Sequence, residues 1–251
     1  MQALLNRFGI VALRAHTHEA LLSKARLARQ FEILRQFREG VEPSVFVSLL
    51  ERSNSQLDQE LAALAASGMK RGGFFVEFGA TDGVTLSNTY FLESEWGWNG
   101  ILAEPGLEWQ TQLLKNRRAK ISTDAVWSVT GEKLSFVESG ELSTLSDFRN
   151  SDHHQRSGRK YQVTTISLND LLAQHEAPQH IDFLSIDTEG SELEILESFD
   201  FGLHTFGFIC VEHNFTDSRE KIANLLTSKG YERVLGDVSE WDDWYILVKH
   251  A

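Results

Sequence analysis

The chain has 251 residues, 41% hydrophobic and 24% charged, which suits one large α/β domain with an additional segment. Twenty-four lysines and arginines against 36 aspartates and glutamates leave a formal charge of −12, so no global basic field exists to grip nucleic acid. The single cysteine, Cys210, excludes an intramolecular disulfide; it sits in the apolar run from Phe206 to Val211 and reads as core packing. No apolar stretch approaches the roughly 18–20 residues of a membrane span, and His16, His18 and Glu19 interrupt any signal-peptide core. The expected location is the cytoplasm, with no membrane span.

Residues 1–68 show helical spacing of Leu4, Leu5, Phe8, Val11, Leu21, Leu22, Ala25, Phe31, Leu34 and Phe37, with Arg7, Arg14, Arg26, Arg29, Arg35 and Arg38 among them. Gly40 and Pro43 punctuate the pattern. A second helix is expected over Ser44–Leu50, and a third through Leu57, Leu61 and Leu64 to a stop at Gly68. The arginine-bearing helix suits either an anionic surface or a packing and oligomerisation arm with a solvated basic face. From Gly72 short β-rich runs alternate with helical ones. Strands are expected over Phe74–Phe78, Ile101–Ala103, Ile121–Val126, Ile181–Ile186 and Phe206–Val211. Between them fall helices around Leu86–Glu93, Glu108–Lys115, Leu168–Gln174, Glu192–Ser198 and Arg219–Ser228. That alternation implies βαβ units around a parallel sheet. Tyr231–Leu235 and Tyr245–Val248 suit an antiparallel hairpin at the sheet edge. Lys133–Val137 and Tyr161–Ile166 read as a further strand pair flanking a long polar loop, 138–160, of the kind that covers a site.

Three strand ends carry chemistry. Phe74-Phe75-Val76-Glu77-Phe78-Gly79-Ala80-Thr81-Asp82-Gly83 is a buried strand running into a glycine-flanked turn, where backbone N–H groups can approach a ligand. The dinucleotide glycine spacing and the P-loop lysine are both missing. Glu77 and Asp82 beside the turn would repel a pyrophosphate and favour an ammonium or a sulfonium. The next strand ends in Glu104, placed to accept both hydroxyls of a ribose. Asp124 closes the third strand and suits either an adenine edge or a plain turn role. Asp182-Phe183-Leu184-Ser185-Ile186-Asp187-Thr188-Glu189-Gly190-Ser191-Glu192 delivers Asp187 and Glu189 to the cleft, and the neighbouring strand ends Val211-Glu212-His213-Asn214. Two adjacent strands ending in acceptor clusters at one edge locate a reactive site. His213 by itself reads equally well as a structural histidine.

These segments, with Gly100-Ile101-Leu102-Ala103-Glu104-Pro105, Ser87-Asn88-Thr89, Asn116-Arg117, Thr165-Ile166-Ser167-Leu168 and Gly230-Tyr231-Glu232, resemble the motifs of the FkbM-type methyltransferase family. The resemblance runs in order over about residues 72–249. It implies a Rossmann-like seven-stranded methyltransferase sheet, mostly parallel with an antiparallel C-terminal hairpin, over 71–251. Residues 1–70 lie outside it, as a helical N-terminal appendage. It also implies S-adenosylmethionine as methyl donor, held by Glu77, Gly79, Asp82 and Gly83 at its methionine end, by Glu104 at the ribose and by Asp124 at the adenine. The expected reaction is O-methylation of a hydroxyl on a sugar, a glycan or a small metabolite.

Methyl transfer requires alignment of acceptor oxygen, methyl carbon and sulfur, and the hydroxyl must lose its proton. Asp187 and His213, with Glu212 beside them, are the candidate bases; His153 and His154 in the long loop are lesser ones. In that loop Ser143, Thr144 and Arg149 are candidate acceptor contacts. A divalent cation on Asp187, His213 and Asn214 is the alternative to a direct base, and the metal-free version is favoured. The partners expected are a small-molecule or glycan acceptor and another copy of the chain, not nucleic acid. Two other functions fit less well: a non-catalytic interaction protein on the same fold, and a nucleotide-cofactor oxidoreductase.

Overall fold

Period-two alternation in the central strands decides which side of the sheet each helix covers. The structure, a computed structural model, describes residues 15–152 and 154–248. Among the described residues three α-helices precede the sheet: α1 (Ala15–Gln36), α2 (Pro43–Val47) and α3 (Gln59–Ala66). Then follow β1 (Phe74–Phe78), α4 (Tyr90–Trp96), β2 (Asn99–Ala103), α5 (Leu107–Asn116) and β3 (Lys120–Ser122). A smaller group comprises β4 (Ala125–Trp127), β5 (Lys133–Glu138), β6 (Thr144–Leu145) and β7 (Arg159–Ser167). The chain closes with α6 (Leu168–Gln174), β8 (His180–Ile186), α7 (Glu192–Ser198), β9 (Thr205–Glu212), α8 (Ser218–Ser228), β10 (Tyr231–Val234) and β11 (Asp242–Leu247).

The main sheet has seven strands in the order β10-β11-β9-β8-β1-β2-β3. β1 lies between β2 and β8, parallel to both, with Val76 opposite Ile101 on one side and Leu184 on the other. Only β11 runs antiparallel, against β9 and β10. Phe75, Phe183, Phe208 and Cys210 point to one face, where they pack with Leu57, Leu61, Leu64, Phe91 and Trp98. Val76, Leu184, Ile209 and Val211 point to the other, under Leu171, Leu172, Ile195, Leu196, Ile222 and Leu226. The helices that precede residue 70 therefore supply part of the layer on the first face and share its core. Among the described residues no helix is long and apolar enough to cross a membrane.

Several details depart from the sequence expectation. The arginines of α1 are not simply a solvated face. Arg29 is buried, pairs with Asp58 at 3.5 Å and with Glu240, and donates to the Val238 carbonyl at 2.9 Å. It ties the first helix to the last hairpin. The stretch Ile121–Val126 is not one strand but two, β3 in the main sheet and β4 in a four-stranded sheet ordered β4-β7-β5-β6. Asp124 falls in the break. The helix expected over Leu86–Glu93 starts only at Tyr90, because Ser87, Asn88 and Thr89 all bond to Glu77 instead. The final hairpin forms, but its last strand inserts between β9 and β10, so β10 is the edge. The long loop after β5 contributes β6, which pairs Phe136 with Leu145.

Candidate functional site

At the carboxyl ends of β1, β2, β8 and β9 lies a cavity of about 430 Å³. The turn after β1 forms one wall. Gly79 has φ +72°, and a Cβ there would sit 2.2 Å from the Asp187 carbonyl oxygen. Glycine is thus required by the close approach of the β1 and β8 ends, as well as by its left-handed backbone. Thr81 donates its N–H to Glu104 Oε2 at 2.9 Å, and Gly106 donates to Oε1 at 2.7 Å. Burial pushes the Glu104 carboxyl up to about 7, against those two bonds and with help from the nearby Glu108 and Glu138 charges. Glu104 lines the cavity beside Trp109, whose buried indole N–H has no partner among the described residues. Ala125, Val126, Phe136 and Leu145 complete an apolar slot there. A slot of that kind next to a carboxylate and an unsatisfied N–H suits a flat heterocycle carrying a hydroxylated ring.

Not every residue expected at a donor site reaches the cavity. Glu77 lines it, yet its carboxylate is occupied by Ser87 Oγ at 3.0 Å, Asn88 N–H at 2.7 Å and Thr89 Oγ, with buried Arg117 at 3.7 Å. It holds the loop that follows the turn. The Asp82 and Gly83 assignments need correction. Asp82 folds into its own turn and accepts from Val84 N, Thr85 N and Thr85 Oγ1 at 2.8, 2.7 and 2.9 Å. Partial burial raises its carboxyl, but those bonds outweigh the effect and hold it below the usual range. Gly83 packs against α5, where a Cβ would meet Arg117 Cγ and Leu113 Cδ1. Asp124 is half-buried at the break between the sheets, and its neighbours Ala125 and Val126, not Asp124 itself, line the cavity.

The opposite end of the cavity is acidic. Asp187, Glu189 and Glu212 each place one carboxylate oxygen within 4.8 Å of the others. Burial raises the Asp187 and Glu212 carboxyls well above the carboxylate range, and the nearby Glu189, Asp242 and Glu192 charges raise both further; Asp187 also raises Glu212, while a hydrogen bond from Glu212 partly offsets the shift of Asp187. Asp242 faces Glu212 across the β11–β9 register and also lines the cavity. His213 does not join them. Successive residues of an extended strand point to opposite sides, so Glu212 inward means His213 outward. Its Nδ1 accepts the Phe215 N–H at 2.9 Å, and Nε2 lies 3.7 Å from Asp243, which also pairs with Arg219 and Arg233. Burial lowers its pKa. His213 is therefore corrected from a candidate base or ligand to a neutral ring outside the cavity. Asn214 does line it, with Nδ2 3.5 Å from Glu189.

Two further segments line the cavity, one that the sequence did not point to and one, the long loop, that it did. Gln56 and Gln59 come from the N-terminal helical segment, and Gln59 donates to Asp242 at 3.0 Å across 183 residues of chain. From the 138–160 loop come Gly140, Glu141, Leu142, Ser143, Asp152 and His154; His153 lies outside the described residues. Arg156 pins that loop. Its fully buried guanidinium bonds Asp152 at 2.6 and 2.8 Å, the Leu142 carbonyl at 2.8 Å, and Glu189. Thr144 donates to the Glu189 carbonyl at 3.0 Å, while Arg149 does not line the cavity. The wall carries eight carboxylates and, among the described residues, no lysine or arginine. Such a field attracts cationic ligands and repels phosphates.

The sheet order with its single antiparallel strand, the glycine turn and the acidic second strand end agree with one comparison. The description Methyltransferase FkbM domain matches residues 77–243, more than half of the chain. No curated protein matches the chain in sequence. With two-thirds of its length accounted for by that domain, the chain belongs to the FkbM methyltransferase family.

Proposed function

We propose that this methyltransferase takes its methyl group from S-adenosylmethionine and transfers it to a hydroxyl of a sugar, a glycan or another small metabolite. The observation that carries the reading is Glu104, a buried carboxylate facing the Gly79 turn at the end of an anionic cavity. The ribose would meet Glu104, and the adenine the slot of Ala125, Val126 and Phe136, where Trp109 offers its unpaired N–H. When bound, the donor supplies an electrophilic methyl group on a sulfonium. The carboxylate-rich wall favours that positive charge, and the absence of lysine and arginine from the described lining disfavours the pyrophosphate of a nicotinamide dinucleotide.

The acidic end then receives the acceptor hydroxyl, which is also where its proton leaves. Asp187 and Glu212 are the groups facing it, and the loop pinned by Arg156 supplies part of the wall. This reading includes a neutral or cationic acceptor, a cytoplasmic location and no nucleic-acid partner. It also includes self-association through the exposed Leu27 and Phe31 of α1, which light scattering would test. Titration calorimetry with S-adenosylmethionine and its demethylated product tests the donor. Glu104→Ala should weaken binding by about 1–3 kcal/mol, the scale of losing a charged hydrogen-bond partner. Unchanged affinity would move the donor elsewhere. Labelled methyl transfer over a panel of glycans and hydroxylated metabolites identifies the acceptor, and no turnover on any of them would favour a non-catalytic role.

A further inference from the structure

Three carboxylates meet at the ends of two adjacent strands, and only one of them has a cation. Glu189 pairs with Arg156. Asp187 and Glu212 have a hydrogen bond only with each other and receive no N–H or hydroxyl donor from the rest of the described protein, although Glu212 is only 8% exposed and faces the cavity. Structural acids in the same region look different. Glu192 is spanned by Thr188 N–H, Thr188 Oγ1 and Gly190 N–H at 2.8–3.0 Å, and Glu104 by two backbone N–H groups. Buried carboxyls whose only partners are one another repel as soon as both ionise, and a cation from outside the protein relieves that repulsion.

The donor set states what that is. Each of the three oxygens lies within 4.8 Å of the other two. Oxygens on opposite sides of a cation held at roughly 2.1–2.6 Å are about 4.2–5.2 Å apart, so this spacing fits one ion among them. All three are hard oxygen donors. Asn214 Nδ2 is turned toward Glu189, which leaves its amide oxygen as a further candidate ligand. Imidazole is missing from the set because His213 faces away, and the Cys210 sulfur lies against Asp242 at 3.4 Å. Carboxylate and amide oxygens without nitrogen or sulfur select magnesium, manganese or calcium over zinc or copper.

We propose that Asp187, Glu189 and Glu212 form a binding site for one hard divalent cation, with positions open toward the cavity for the acceptor's oxygen. The site differs from the Asp187, His213 and Asn214 set that the sequence suggests. The cation holds the hydroxyl beside the methyl group and eases loss of its proton to solvent. That catalytic part rests on the proposed function; the binding itself does not.

The test uses the full chain freed of metal by a chelator and titrated with Mn²⁺, reading free Mn²⁺ by electron paramagnetic resonance. One saturable site per chain is expected, displaced by Mg²⁺ or Ca²⁺. Glu212→Gln and Asp187→Asn should each weaken it by roughly tenfold or more, since even residues behind metal ligands act on that scale. Glu197→Gln, at an exposed acid away from the cavity, should leave it unchanged. Mn²⁺ should raise the melting temperature of the wild type but not of Glu212→Gln, whose metal-free form should melt no lower because a repelling charge is gone. Absence of a stoichiometric site, or equal binding by wild type and both cluster variants, overturns the proposal. Calorimetry with S-adenosylmethionine on the same metal-free protein separates the readings: donor binding without Mn²⁺ binding removes only the cation. Mn²⁺ binding without donor binding removes the donor assignment and leaves the cation site.

Discussion

Replacing Gly79 with alanine tests whether the β1 turn is built around the carbonyl of Asp187. Two costs combine there. At φ +72° any Cβ is strained, by about 1–2 kcal/mol, partly offset by the stiffer unfolded chain. The new methyl would also lie 2.2 Å from the Asp187 oxygen, where ordinary contact begins at 3.4 Å. Relieving that overlap needs movement of about an ångström between packed strand ends, which typically costs about 1–3 kcal/mol. Gly72 isolates the first cost, since it has φ +66° and nothing within 4 Å of its added Cβ. Urea unfolding near neutral pH should place Gly72→Ala about 1 kcal/mol below wild type and Gly79→Ala a further 1–3 kcal/mol lower. The clash falls on Asp187, so Gly79→Ala should also reduce turnover more than donor affinity. Equal destabilisation by the two alanines would refute the argument, because it would leave only the backbone conformation at work.

Asp82→Ala should cost about 1 kcal/mol, as the loss of a capping carboxylate does, and change donor affinity little. Because its folded pKa is depressed, the Asp82 contribution should be whole above the unfolded carboxylate range and vanish in acid; a flat acid limb would contradict it. Glu104 has the opposite sign. Its contribution is complete below 4.5 and declines as pH rises toward about 7, by at most roughly 3–4 kcal/mol, so Glu104→Gln should flatten denaturation midpoints across that window. His213→Gln should leave turnover within about threefold of wild type while altering stability, because its ring does not line the cavity; a loss of roughly a hundredfold, the scale of a general base, would restore it to the site.

Local pattern carried much of the architecture. Phe74–Phe78, Leu168–Gln174 and Glu192–Ser198 are the elements their apolar spacing implies, and Gly68 at φ +67° follows the third helix as its stop residue should. The strand ends that bear Glu104, Asp187 and Glu212 were also legible, because a parallel sheet sends all of its carboxyl ends to one edge. Which of those side chains face the cavity was decided only in three dimensions. Glu212 and His213 are neighbours in sequence and opposites in direction once the register of β9 is fixed by β8 and β11. Asp82 looked like a ligand until the turn offered it three donors of its own. Arg156, Gln59 and Asp242 gave no local signal, since each owes its role to a partner distant in the chain. A sequence reveals periodicity and chemical type, which are properties of neighbours along the chain. Charge compensation and the direction of a side chain at a strand's end belong to neighbours in space, and only packing supplies them.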